Sequence, residues 1–235
     1  MFRTAIAVFA AMVAVAFAFT TYEHWLLRRT RQYLAWTVAM VLFALGAGAL
    51  AWGSELGWTS MAFRLFYAAG AITNVPFLAV GQLYLLVRKR NADRAFVVMS
   101  VVASFAFGVV LAVPFEGALS RERLPKGDEV FGLAPRVFAA VGSGGAAVVL
   151  AGGTILGIVR ISRARRRQPI AGAGRRITGL ALLTLGTFVS GASGLLNSVL
   201  GAMSAFSVTL VIGVVILFAG FMLSTSSTSS TAARR

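Results

Sequence analysis

The sequence predicts an all-helical, polytopic membrane protein with seven transmembrane helices. Three observations predict it. Hydrophobic residues make up 58% of the 235-residue chain and charged residues only 12%, about half the charged share of an ordinary soluble domain. Seven apolar runs reach the roughly 20 residues that a helix needs to cross a bilayer core about 30 Å thick. The arginines gather between alternate runs, as the topology rule for cytoplasmic loops requires.

The first run, residues 2–22, carries Arg3, an apolar stretch and small residues near Ala18, which are features of a signal peptide. Its apolar part is long for one, and Arg28, Arg29 and Arg31 follow it. A retained helix with its N-terminus outside is therefore expected. The second run, residues 33–52, has Trp36 and Trp52 near its ends, and indole rings favour the headgroup level.

The third run, residues 62–87, organises the rest. Arg64, Tyr67, Gly70, Asn74, Gly81 and Gln82 fall within an arc of about 120° on a helical wheel. One side of this helix is built for protein or water, the other for lipid. Pro76 removes a backbone donor, which predicts a kink and a freed carbonyl near residue 72. Asn74 either satisfies that carbonyl or belongs to a binding site near mid-membrane. Arg64 lies one turn inside the outer end. It either snorkels to the interface or turns inward, to Glu55, to an acid of the long outer loop, or to an anionic ligand.

The fourth run, residues 95–113, is the plainest and is ended by Pro114. Residues 115–136 form the longest loop, whose acids and bases balance. The fifth run, residues 137–159, is glycine-rich, and Gly153 with Gly157 forms a GxxxG pair suited to close helix approach. In the sixth, residues 177–200, Thr184, Thr187, Ser190, Gly191, Gly194, Asn197 and Ser198, with Gly201 just beyond, share an arc of about 140°. Two accounts fit that stripe. It is a packing face built on Gly191 and Gly194, or it lines a polar cavity opposite the third span, with Asn197 and Asn74 supplying amides. The seventh run, residues 205–223, is almost wholly apolar. Residues 224–235 are Ser/Thr-rich and are expected to be a disordered cytoplasmic tail.

Charge sets the orientation. The loops after runs one, three and five, with the tail, hold sixteen of the 22 basic residues. That side is expected to be cytoplasmic, with the N-terminus out, the C-terminus in, and the chain in the plasma (inner) membrane. Runs one to three and five to seven share a layout and an orientation. Gly46-Ala47-Gly48-Ala49-Leu50 and Gly191-Ala192-Ser193-Gly194-Leu195 occupy matching places in the outward-running helices. This suggests a parallel 3+1+3 repeat, unless the likeness reflects only the small-residue bias of membrane helices.

Several chemistries are absent. The chain has no cysteine and one histidine, His24, so thiolate sites, disulfides and His-rich metal sites are not available within it. No carboxylate lies within a span, and no catalytic set or phosphate loop occurs, so no enzyme and no metal are expected. The net charge of +15 sits in short loops. It predicts attraction to anionic lipid headgroups and no nucleic-acid partner.

The tract from Arg64-Leu65-Phe66-Tyr67-Ala68-Ala69-Gly70 through Asn74-Val75-Pro76 to Gly81-Gln82-Leu83-Tyr84-Leu85-Leu86 resembles one found in uncharacterised bacterial seven-helix membrane proteins. That resemblance brings no activity with it. The layout is also similar to microbial rhodopsins, whose retinal is held by a lysine of the last span; residues 205–223 have none, which excludes a covalent retinal. It is similar in span count to the SWEET and PQ-loop carriers, without their Pro-Gln pair. The functional expectation is small-solute transport or ligand sensing, with Arg64, Tyr67, Asn74, Gln82, Thr187 and Asn197 as candidate ligand-binding residues. One alternative is a non-catalytic accessory subunit, docked to membrane protein partners or to copies of itself. Another is binding of lipid or of a non-covalent pigment.

Overall fold

The computed structural model describes residues 2–119, 124–167, 173–200 and 203–226; within these, the side chains of 192–200 and of a few helix-end residues lie outside the description. Every regular element among the described residues is helical. Helix α1 is Phe2–Arg28 and α2 is Arg31–Leu56. The tight link between them is made by Arg29, whose φ of 53° is left-handed. Helix α3, Ser60–Leu86, starts where the Thr59 side chain accepts a hydrogen bond from the Ala62 amide at 3.2 Å. Helix α4 is Lys89–Ala112, and the short α5 is Gly127–Val130. Helix α6 runs over 133–167, α7 is Ala173–Leu200, and α8 is Met203–Ser226.

Six segments among the described residues are long and apolar enough to cross a membrane: Thr4–Arg28, Arg31–Leu56, Ser60–Leu86, Lys89–Ala112, Leu133–Ala164 and Phe206–Ser224. The protein is therefore a membrane-embedded helical bundle. The expected sixth span falls on α7, which is 28 residues long, but the side chains of its last nine residues, 192–200, lie outside the description. The tail was expected to begin at Ser224. The helix instead continues to Ser226, and 227–235 fall outside the described residues.

Neighbouring helices close a ring in the order α1, α2, α3, α6, α7, α8 and back to α1. Helix α4 packs on the outside of α3, and its apolar window has the lowest buried share of the six, 17%. That explains its plain sequence, because a helix facing lipid on most sides needs no polar stripe.

Two stretches depart from α-helical winding. Phe66–Thr73 in α3 and Ala140–Gly145 in α6 are π-helical, and they pack against each other. The first ends three residues before Pro76. In an i→i+5 register, residue 76 would donate to the carbonyl of residue 71, and proline has no N–H to give. The Ser143 hydroxyl, from the second stretch, donates to Ala71 O instead. The disturbance that Pro76 predicts thus takes the form of a widened helix whose freed carbonyl is served by a neighbour. The same stretch crosses α2 closely, since a Cβ on Gly46 would lie 2.9 Å from Gly70 Cα.

Helices α7 and α8 are antiparallel and meet through glycines seven residues apart on each. A Cβ on Gly179 would lie 2.8 Å from Gly220 O, and one on Gly186 would lie 2.7 Å from Gly213 O. A seven-residue repeat keeps one face of a helix turned to its partner over two turns. Small residues on that face let the backbones approach, which is how helices bind each other in lipid.

Candidate functional site

Five helices of the ring converge on one buried polar cluster. Gln82 of α3 is 2% exposed. Its Nε2 donates to Thr154 Oγ1 of α6 at 2.9 Å and to Leu150 O at 3.4 Å. Thr154 shares a hydrogen bond with Thr184 of α7. Thr187, one turn further along α7, is buried and donates back to Leu183 O at 2.9 Å. Trp36 of α2 closes the cluster from the opposite side, its indole N–H directed at Leu78 O at 3.3 Å. It can do so because residue 81 is glycine, where a Cβ would run into the indole ring. The void between Trp36, Leu78, Gln82, Leu150, Leu183, Thr187 and Leu217 measures about 10 Å³. That is near the lower limit for one water molecule. In this conformation the helices are closed on one another, with no cavity of solute size at the cluster.

Aromatic layers seal both ends. At the arginine-rich end, Tyr33, Trp36 and Phe221 meet edge to face, and His24 and Phe17 pack against Phe221. At the other end the described parts of the loop before α6, 113–119 and 124–132, fold onto the bundle. Phe131 is buried against Phe63 at 5.4 Å, Tyr67 at 5.0 Å and Phe115 at 5.3 Å between ring centres. Glu116 N donates to Val130 O at 3.0 Å, which ties the two arms of that loop together. Trp58, Phe66 and Phe206 extend the layer across α3 and α8.

The residues expected at a site are dispersed. Gln82 and Thr187 belong to the central cluster. Tyr67 lies in the aromatic layer at the loop end, against α5, where a Cβ on Gly127 would lie 2.6 Å from its hydroxyl. Asn74 is buried, but its Oδ1 accepts from the amide of Val75 at 2.7 Å. Arg64 does not snorkel, and it meets no acid among the described residues. Its guanidinium donates to Val110 O and, at 3.0 Å, to Leu111 O, and lies 4.4 Å from the centre of the Phe115 ring. It caps the C-terminus of α4. Glu55, one of the alternative partners named above, accepts from Thr4 Oγ1 at 2.8 Å. The side chains of Asn197 and Gly194 lie outside the described residues.

Of the expected packing glycines, Gly153 sits under Leu86 and Gln82, and Gly157 faces Leu180 and Leu86. Gly191 is exposed and meets nothing within 4 Å. The sequence reading missed Thr154, which sits one residue after Gly153 in a glycine-rich run. It missed the indole of Trp36, which was assigned to an interface. It also missed the glycine pairs of α7 and α8, whose seven-residue spacing, Gly179 to Gly186 and Gly213 to Gly220, is plain once sought.

No protein-family model, no curated protein and no solved structure matches the chain.

Proposed function

We propose that the protein is a non-catalytic membrane bundle that binds a small polar solute or ligand at the Gln82 cluster, for transport or sensing, and that the closed bundle described above is its resting form. The observation that carries this reading is the convergence. An amide and three threonine hydroxyls from three helices meet at the axis between two aromatic layers, with Gln82, Thr154 and Thr187 buried and Thr184 half-buried, where apolar packing alone would hold a bundle together. Buried amides in lipid are costly unless paired, which favours a role for Gln82 beyond filling space. The π-helical stretches of α3 and α6 support it, since such windings often accompany functional sites and are less tightly held than α-helix. The ring order supports a parallel 3+1+3 repeat, because it places α1–α3 and α6–α8 as consecutive triplets with α4 outside, a design known in carriers. The arginine distribution supports an N-out, C-in placement in the plasma membrane.

Native mass spectrometry of the chain purified in mild detergent tests the reading. A small molecule retained by the wild type and lost in Gln82→Leu, with the thermal midpoint kept, supports it. Loss of nothing in Gln82→Leu, with equal or higher stability, makes the cluster a helix clamp and ends the proposal.

One observation favours a second reading, an accessory subunit or homo-oligomer. Gly144, Gly145 and Gly152 of α6 meet nothing within 4 Å, and Val141, Val148 and Ile155 beside them are exposed. A protein partner that co-purifies in the same experiment would move the weight to this face.

A further inference from the structure

The arginine-rich end carries a shallow, open groove outside the ring, lined by Lys89, Arg90, Asp93, Arg94, Val97 and Val98 of α4. Three arginines of this end are already engaged. Arg29 lies over the Trp25 ring at 5.4 Å, Arg31 pairs with Asp93 at 3.2 Å, and Arg160 donates to Leu86 O at 2.7 Å. Asp93, the one acid of the groove, is paired with Arg31 and accepts from the Tyr84 hydroxyl at 2.8 Å. Lys89, Arg90 and Arg94 are left without an acidic partner among the described residues.

The groove continues into lipid-facing helix. Arg90, Arg94, Val97, Val98, Val101 and Phe105 follow one face of α4, and the last four are all more than half exposed. From Val97 to Phe105 is about 12 Å of helix rise, close to the roughly 15 Å of hydrocarbon in one leaflet. Cations at the headgroup level and an apolar track of leaflet length below them fit a single kind of occupant. We propose that this groove is a binding site for an anionic phospholipid, its phosphate among Lys89, Arg90 and Arg94 and one acyl chain along Val97, Val101 and Phe105. A free phosphate would use the cations and leave the valine track bare. The site lies on the outer helix and is independent of the Gln82 cluster.

The full chain in mild detergent is given phosphatidylglycerol and phosphatidylcholine of matched acyl chains, and bound lipid is read by native mass spectrometry. The wild type is expected to retain the anionic lipid preferentially. Arg90→Ala lowers the anionic-to-zwitterionic ratio about fivefold, and the Lys89→Ala, Arg90→Ala, Arg94→Ala combination lowers it at least tenfold, since each surface charge contributes up to about fivefold. Arg163→Ala, exposed and outside the groove, leaves the ratio unchanged. Equal retention of both lipids by the wild type overturns the proposal. So does a triple variant that keeps the preference, or displacement of the lipid by millimolar inorganic phosphate. Arg90→Ala alone decides the matter if the triple variant is poorly folded.

Discussion

Arg64 shows how far a single residue's chemistry constrains its role. A guanidinium one turn inside a membrane face was read as snorkelling or as aimed at an anion, and both treat it as a charge seeking a charge. The structure gives it carbonyls instead. The last turn of α4 leaves backbone oxygens without intrahelical donors, and a cation there also meets the negative end of the helix. No pattern in the α3 sequence points to this, because the partner is a backbone terminus 46 residues away. Arg64→Met is expected to lower stability by about 1–2 kcal/mol, read as a thermal midpoint in detergent, and Arg64→Lys to recover only part of it, since a point charge cannot fork to two carbonyls. An Arg64 that served a ligand would leave the midpoint where it was. Gly81 makes a second residue-scale case. A methyl group there collides with the Trp36 indole, so Gly81→Ala should cost about 1–3 kcal/mol. Trp36→Phe combined with Gly81→Ala should cost less than the sum of the two alone, because the smaller ring removes the clash.

At the scale of elements, existence and type were legible and pairing was not. Run length and hydropathy locate the helices of 2–28 and 31–56, since a bilayer imposes both quantities on any spanning segment. The π-helical windings were legible only in part. Pro76 marks a disturbance in α3, but the width of the turn before it depends on Ser143 reaching across from α6. Glycine was the least specific signal, because every spanning helix but α1 carries it, and the structure sorts the residues by what each one faces. Gly186 lies against Gly213 O and Leu217, and Gly191 faces open space. Two substitutions separate them. Gly186→Ala should destabilise the α7–α8 pair by about 1–3 kcal/mol through forced separation of the backbones. Gly191→Ala should be neutral or stabilising by up to about 1 kcal/mol, as expected for an exposed helical glycine. Thermal unfolding of the two variants side by side checks both, and equal losses would mean that α7 packs differently from the geometry described.

At the scale of the whole molecule, the bundle reads as a ring of six helices closed around a small polar centre, with a seventh on its flank. The sequence held the ingredients of that centre, since Gln82 and Thr187 stood out as polar groups within spans. It could not bring them together, because convergence depends on which face each helix turns inward, and Thr154 and Trp36 carry no sign of that in their local pattern. Orientation is the one global property for which sequence and fold offer independent handles. The described parts of the loop before α6, 113–119 and 124–132, and the C-terminal ends of α1, α3 and α6 lie at opposite ends of the ring, and the sequence crowds its basic residues at the second end. The absence of cysteine makes the test clean. Asp128→Cys, exposed beside the aromatic layer, should react with a membrane-impermeant thiol reagent added to intact cells. Asn91→Cys, exposed on the first turn of α4, should react only after permeabilisation. The reverse pattern would put sixteen basic residues on the outer side, against the rule that lysines and arginines in short loops are retained inside. It would also place the groove of Lys89, Arg90 and Arg94 in the outer leaflet. The lipid measurement and the labelling measurement therefore bear on each other: an anionic-lipid site at that end is useful to the protein only if that end faces the leaflet in which such lipids are concentrated.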